Sequence, residues 1–159
     1  MNTHEHFLDM ARKLAESKGA CGYRMGAILV QKSQIISTGY NRSCGNIPPD
    51  IFNTHRKSSL LGILHAEIDA ILGVLPGLNA QLDSRTKIYV SGISKAGNSI
   101  IAMPCKNCIR VLWNCGIKRI YYATKTGYEY LRLEEYNIDA LVRREHCSSC
   151  DQSLSRLYD

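Results

Sequence analysis

Apolar and polar positions alternate along this chain with two different periods, and the switches between them mark its elements. From Glu5 to Ser17 the apolar residues Phe7, Met10, Ala11 and Leu14 recur at three- and four-residue steps, the spacing of one face of a helix. Met25 to Val30 (M-G-A-I-L-V) and Gln34 to Gly39 (Q-I-I-S-T-G) read as strands, joined through Gln31-Lys32-Ser33 by a short hairpin-like connection. His65 to Leu72 returns to helical spacing: Ile68, Ile71 and Leu72 share a stripe, and Glu67 and Asp69 fall in the first turn, where the helix dipole favours acids. Lys87 to Gly92 (K-I-Y-V-S-G) is a further strand. Pro104, with its fixed φ and missing N–H, suits a helix start; Ile109, Leu112 and Trp113 follow at apolar spacing, and Gly116 is the stop.

Arg119 to Thr124 (R-I-Y-Y-A-T) is the next strand, which makes the order α-β-β-α-β-α-β. Beyond it, Lys125-Thr126-Gly127 reads as a turn into a strand over Tyr128 to Glu134, because Glu129, Leu131 and Leu133 alternate. A crossover helix over 127–136 is the competing assignment, but only Tyr128, Leu131 and Glu135 suit a helical face. The pattern predicts an α/β fold of three layers, α-β-α, with a central mixed five-stranded sheet and helices on both faces.

Chemistry is concentrated at the starts of two of these helices. His65-Ala66-Glu67 is followed, 40 residues after the histidine, by Cys105 in Pro104-Cys105-Lys106-Asn107-Cys108. One imidazole and two thiolates make three zinc ligands, which leaves a fourth tetrahedral position open and so points to catalysis rather than scaffolding. Zinc brings the pKa of a bound water towards roughly 7, and Glu67 is placed two residues from the ligand to move that water's proton. Cys105 and Cys108 in a first turn gain from the positive end of the dipole, which favours thiolate. Taken together these are the H-x-E and P-C-x-x-C elements of zinc nucleobase deaminases.

Each half alone is weak. A C-x-x-C can be a redox pair, two buried thiols or one knuckle of a structural zinc site. The strongest structural competitor joins Cys105/Cys108 to Cys147/Cys150 as a four-thiolate ribbon, yet 38 residues separate the pairs against about 15–20 in the usual pattern. A purely structural zinc protein also gives Glu67 no reason to stand beside His65.

Ile36-Ser37-Thr38-Gly39-Tyr40-Asn41, His65-Ala66-Glu67-Ile68-Asp69-Ala70-Ile71, Pro104-Cys105-Lys106-Asn107-Cys108 and Cys115-Gly116-Ile117-Lys118-Arg119-Ile120 together resemble the cytidine deaminase superfamily, and within it the deoxycytidylate (dCMP) deaminase branch. The resemblance spans about residues 5–125. It implies a single catalytic zinc on His65, Cys105 and Cys108, with Glu67 as proton shuttle. It also implies substrate contacts from Asn41 to the sugar and from the backbone at Ala66 and at Met103, before Pro104, to the base. Lys18 and Arg24 fall in the segment that helps hold a 5′-phosphate. The implied reaction converts dCMP to dUMP with release of ammonia. Two alternatives stay open: the same chemistry on a base within RNA or single-stranded DNA, as in tRNA adenosine or cytosine editing, and deamination of free cytidine or deoxycytidine. The resemblance further implies a homo-oligomer.

Departures from that family's pattern concern substrate choice. The stretch from Arg42 to Leu64, with Pro48-Pro49 and His55-Arg56-Lys57, is unlike the family's usual loop, and it leads into the active-site helix. Arg56 is therefore a candidate phosphate partner, since a guanidinium can hold phosphate with two parallel hydrogen bonds. Met103 stands where a small serine is frequent. A hairpin after Thr124 would also depart from the fifth-strand crossover expected of the deoxycytidylate branch.

Composition adds bounds. The 159 residues carry 45% hydrophobic residues and a net charge of +6, which predicts one domain over 1–159 with a Cys-containing tail from about 143. No run approaches the ~18 apolar residues of a membrane span. The seven cysteines form an odd count, and the polar first helix is no secretory signal, so a disulfide framework is disfavoured and a cytoplasmic location expected. Basic residues gather at His55-Arg56-Lys57, Lys118-Arg119 and Arg143-Arg144 without the aromatic interleaving of a dedicated single-strand binder. A nucleotide phosphate is the partner preferred over nucleic acid, and solvated basic faces are the plainer reading. Cys21, Cys44 and His55 with Cys147 or Cys150 offer a second, structural zinc, against which stand ordinary buried thiols.

Overall fold

The computed structural model describes residues 2–18, 22–43, 63–74 and 82–138. Helix α1 (Thr3–Lys18) opens on a capping box, in which Asn2 Oδ1 accepts from the His4 N–H at 2.7 Å and Glu5 Oε2 accepts from the Asn2 N–H at 2.8 Å. Its buried face is Phe7, Leu8, Ala11 and Ala15, with Met10 and Leu14 at the margin. Strands β1 (Arg24–Gln31) and β2 (Gln34–Tyr40) follow as a hairpin, turning at Lys32 and Ser33. Both turn residues have positive φ, 50° and 63°, the geometry that matches the twist of the flanking strands.

The sheet order is β2-β1-β5-β7-β8, where β5 is Lys87–Ile93, β7 is Arg119–Ala123 and β8 is Tyr128–Arg132. Short strand β6 (Ser99–Ile100) pairs with the end of β5, and β3 (Arg42–Ser43) pairs with β4 (Ile63–Leu64) as a separate ribbon. β5 and β7 are parallel and the remaining neighbours antiparallel, so the sheet is mixed. The parallel pair needs a crossover, supplied by helix α3 (Lys106–Asn114). That helix closes on Gly116 at φ 82°, with Ile117 N–H donating to Leu112 O and Gly116 N–H to Trp113 O, the paired bonds of a Schellman stop. The turn after β7 is closed by Thr124 N–H donating to Gly127 O, and β8 returns antiparallel with Leu131 facing the core. The segment is thus a hairpin strand, not a crossover helix, but it ends at Arg132 rather than Glu134, because Leu133–Glu135 winds into a 3₁₀ turn with Leu133 buried.

Period-two alternation in β1 builds the three layers. Ile28 and Val30 pack with Phe7, Leu8 and Ala11 of α1; Ala27 and Leu29 pack on the opposite face with Ala66, Ala70 and Ile71. These last residues belong to helix α2 (Ala66–Leu72), which lies on β2 at Gly39. A Cβ on Gly39 would sit 2.2 Å from the Ala66 carbonyl oxygen, so only glycine lets the helix approach this closely. Element ends differ from the sequence reading by a residue or two, and at the site the difference matters: His65 and Cys105 are N-caps, and helical structure begins at Ala66 and Lys106 rather than at His65 and Pro104. Extended backbone at both caps (φ −74°, ψ 149° and φ −67°, ψ 164°) is the physical reason. Cys21, Cys44, His55, Arg56, Lys57, Arg143, Arg144, Cys147 and Cys150 lie outside the described residues. Among the described residues no helix is long and apolar enough to cross a membrane.

Candidate metal centre and the cavity beside it

An N-cap side chain ordinarily turns back to accept from its own helix, which is why Ser, Thr, Asp and Asn dominate there. Neither His65 nor Cys105 does so. Their carbonyls accept the first helical bonds, from Asp69 N–H at 3.0 Å and Ile109 N–H at 2.9 Å, while their side chains are left to meet each other. His65 Nδ1 lies 3.6 Å from Cys105 Sγ and 3.4 Å from Cys108 Sγ, and the three donor atoms lie within 4.8 Å of one another. Zinc bonds of ~2.05 Å to nitrogen and ~2.3 Å to sulfur, meeting near 109°, would span about 3.6 Å. The donor set and its spacing fit that ion, with Nδ1 as the imidazole donor.

The two thiols shift in opposite directions through one hydrogen bond between them. The hydrogen bond from Cys108 is the main reason Cys105 drops to about 4, against the opposing effect of its burial and with help from His65. Cys108 is pushed up by that same bond and by burial. A dication held by both sulfurs would require them as thiolates, displacing the proton of that bond.

Glu67 is 4% exposed, in the first turn of α2. Burial first, and then the Cys105 sulfur, push its carboxyl up, with His65 pulling the other way. A carboxyl raised in this way keeps a proton more readily than an exposed glutamate does, which suits a group that must accept one and later return it.

Beside these residues is a cavity of about 330 Å³, lined by Gly22, Tyr23, Met25, Asn41, Ile63, His65, Ala66, Glu67, Met103 and Cys105. The structure therefore brings Asn41, Ala66 and Met103 together with the metal ligands and Glu67. Lys18, exposed at the end of α1, and Arg24 do not line it; an Arg24 guanidinium N–H donates to the Glu16 carbonyl at 3.2 Å. Arg56 is outside the described residues. Sequence reading missed Gly22, Tyr23, Met25 and Ile63. Their one signal is position: Gly22 and Tyr23 just ahead of β1, Met25 at its start and Ile63 two residues before His65.

The chain matches the family described as cytidine and deoxycytidylate deaminase zinc-binding region over residues 1–124. It belongs to that deaminase family. A comparison with curated proteins gives no match. Among solved structures, this deaminase is similar to the apo dCMP deaminase of cyanophage S-TIM5, at TM-score 0.54 and 18% identity, over 89% of this chain and 90% of that one. It is similar also to the cytidine deaminases of Burkholderia pseudomallei (TM-score 0.59, 17% identity, 85% and 95% covered) and Mycobacterium leprae (0.51, 17%, 88% and 97%). At such identities the likeness concerns the fold, which is the three-layer α-β-α arrangement described above. The deaminase is a zinc-dependent hydrolase, and among the described residues His65, Cys105 and Cys108 are the group that could hold the ion.

Proposed function

We propose that the chain hydrolyses the exocyclic amine of a cytosine nucleotide, taking dCMP and water to dUMP and ammonia. The observation that carries this reading is the cavity wall itself: the ligand triad and the buried Glu67 face one space with Tyr23, Met25, Ile63 and Met103, whose apolar surfaces suit the flat sides of a pyrimidine. Zinc, held by His65, Cys105 and Cys108, supplies Lewis-acid activation of the attacking water. Glu67 accepts the proton that water loses as its oxygen adds to C4 and delivers it to ring N3; it then takes the remaining proton from the new C4 hydroxyl and passes it to the departing amine as the C–N bond breaks and the C4 carbonyl forms, so the carboxylate is regenerated at the end of the cycle. Asn41 spends one N–H on Tyr23 O and one oxygen lone pair on Met25 N–H, each at 2.8 Å. Its second N–H and lone pair serve a sugar hydroxyl. The backbone at Ala66 and Met103 orients the base.

The 5′-phosphate is assigned to Arg56 or Lys57, with Lys18 and Arg24 as the alternatives, since these last two flank the Gly22–Tyr23 rim in sequence. The motif resemblance supports the monophosphate, and the dCMP deaminase of cyanophage S-TIM5 binds dCMP and dUMP on this fold. One observation favours a second reading. The antiparallel β7–β8 pair is not the crossover that resemblance to the deoxycytidylate branch implies, and this keeps free deoxycytidine as the rival substrate. The protein is assigned to the cytoplasm, where thiolates stay reduced, as a homo-oligomer of at least two chains; light scattering giving an active 17.8 kDa monomer would remove the assembly. Ammonia release from deoxycytidine, dCMP, adenine counterparts and short oligomers tests the rest. Preference for dCMP is expected. Equal kcat/KM for deoxycytidine and dCMP would discard the phosphate contact, and turnover confined to oligomers, steeply weakened by salt, would replace the free-nucleotide reading.

A further inference from the structure

Asp69 has no part in the chemistry above, yet it joins the two walls of the cavity. It sits two residues beyond Glu67 on α2, its side chain only 10% exposed. Oδ2 accepts from the Tyr40 N–H at 3.1 Å; Oδ1 accepts from Arg42 Nε at 3.2 Å and from a terminal guanidinium nitrogen at 2.7 Å. Tyr40 and Arg42 flank Asn41, so both bonds grip the chain on either side of the cavity residue. Asn41 in turn holds the rim, through Tyr23 O, Met25 N–H and a backbone bond to Met25 O at 3.1 Å. Arg42 is anchored a second time, because its backbone pairs with Leu64 in the β3–β4 ribbon, next to His65. Its guanidinium also lies 5.8 Å over the Tyr40 ring. The connection therefore runs from the helix that carries Glu67, through Asp69, to Tyr40 and Arg42, then Asn41, then Tyr23 and Met25.

We propose that the Asp69–Arg42–Tyr40 clamp is a positioning device that fixes the Asn41 wall of the cavity against the helix bearing Glu67, setting how the substrate's sugar and ring lie relative to the proton shuttle. The role rests on the deaminase reading above. A bonded contact between the two walls holds them to a few tenths of an ångström, and a misplacement of 1 Å between substrate and catalytic group costs on the order of 10²-fold in rate. A purely structural role predicts something different. It would lower the melting temperature while leaving KM and kcat of the folded protein unchanged.

The test uses the zinc-loaded full chain with Asp69→Ala, Asp69→Asn, Arg42→Ala and the Asp69→Ala/Arg42→Ala pair. For Asp69→Ala, zinc should stay near one per chain, KM for the preferred cytosine substrate should rise, and kcat/KM should fall by up to about 10²-fold. Asp69→Asn keeps an acceptor for the Tyr40 N–H and loses the ion pair, so it should fall between wild type and Ala. The double variant should cost little more than Asp69→Ala, because both residues act through one contact. Amide hydrogen exchange supplies a readout independent of any substrate: the Tyr40 N–H should exchange faster in Asp69→Ala, with β1 amides unchanged. Wild-type KM in a destabilised Asp69→Ala, or unchanged Tyr40 exchange, overturns the clamp. A wild-type protein that deaminates nothing while Tyr40 exchange responds overturns the deaminase reading and leaves the clamp standing.

Discussion

On one face of the sheet α1 lies over Ile28, Val30 and Tyr89; on the other α2 and α3 lie over Ala27, Leu29, Ile88 and Val90. The α1 face is built of rings. Phe7 and Tyr121 meet Tyr89 at centroid distances of 5.0 and 4.9 Å, Tyr130 extends the row from Tyr121 at 4.7 Å, and His4 stacks on Tyr121 at 4.2 Å with its Nδ1 2.9 Å from the Tyr89 hydroxyl. Burial, and after it Lys87, hold His4 below its ordinary pKa. The zinc face is built mainly of small and aliphatic side chains, with Ala66, Ala70 and Ala102 fully buried and Gly39 under the helix; Tyr122 is its buried ring, and Trp113 packs at its margin. The difference follows from what each face must bring together. Rings fill the space beside α1, which meets the sheet backbone at Gly26, whereas two helix N-termini that share a metal ion are brought together over small side chains.

The largest effect should come from the ligands of the zinc face. Cys108→Ala or Cys105→Ala removes one of three protein ligands and should lose zinc and turnover together, by metal analysis and ammonia release, while Cys147→Ala with Cys150→Ala keeps both. Zinc that depends on the tail pair would show that Cys105 and Cys108 belong to a ribbon instead.

Glu67→Gln separates the metal from the proton. The amide keeps the size of the side chain but cannot take a proton from water, so kcat should fall by about 10²- to 10⁴-fold with zinc still near one per chain. A zinc-replete variant with wild-type kcat would strip Glu67 of its role.

A smaller effect sharpens the contrast between the faces, because each has one glycine against a helix backbone. An added Cβ would meet Ala11 O at 2.1 Å on Gly26 and Ala66 O at 2.2 Å on Gly39. Both Gly26→Ala and Gly39→Ala should lose on the order of 1–3 kcal/mol or more by urea unfolding, as overpacking does. Only Gly39→Ala should lower kcat/KM as well, since only α2 carries Glu67. Equal loss of kcat/KM in both would mean that the faces are not independent.

Much of this was readable in the residue pattern. The two halves of the metal site were legible because each is local: His65 and Glu67, like Cys105 and Cys108, lie within one helical turn, where spacing alone sets relative position. The β7–β8 hairpin was legible through the alternation up to Leu131, the buried residue of β8, but that period was carried too far: the strand ends at Arg132, and Leu133 opens a 3₁₀ turn over Leu133–Glu135. Less legible was the other side of the cavity. Tyr23 is 65% exposed and Met25 is one more apolar residue at a strand start, so neither stands out from its neighbours, and Asp69 reads as an ordinary first-turn acid.

Local propensity and side-chain chemistry, both properties of the sequence itself, determined that the chain has two helices opening on metal-binding residues and alternating strands to carry them. Tertiary structure decided that those openings face each other. The antiparallel β1–β5 pair and the parallel β5–β7 pair set α2 and α3 side by side on one face, and the missing side chain of Gly39 lets α2 settle there. They also decided that Asp69 faces Tyr40 and Arg42. The physical reason is range: spacing fixes contacts within a turn or a hairpin, while a contact between residues 40 apart exists only after the strands between them have chosen partners.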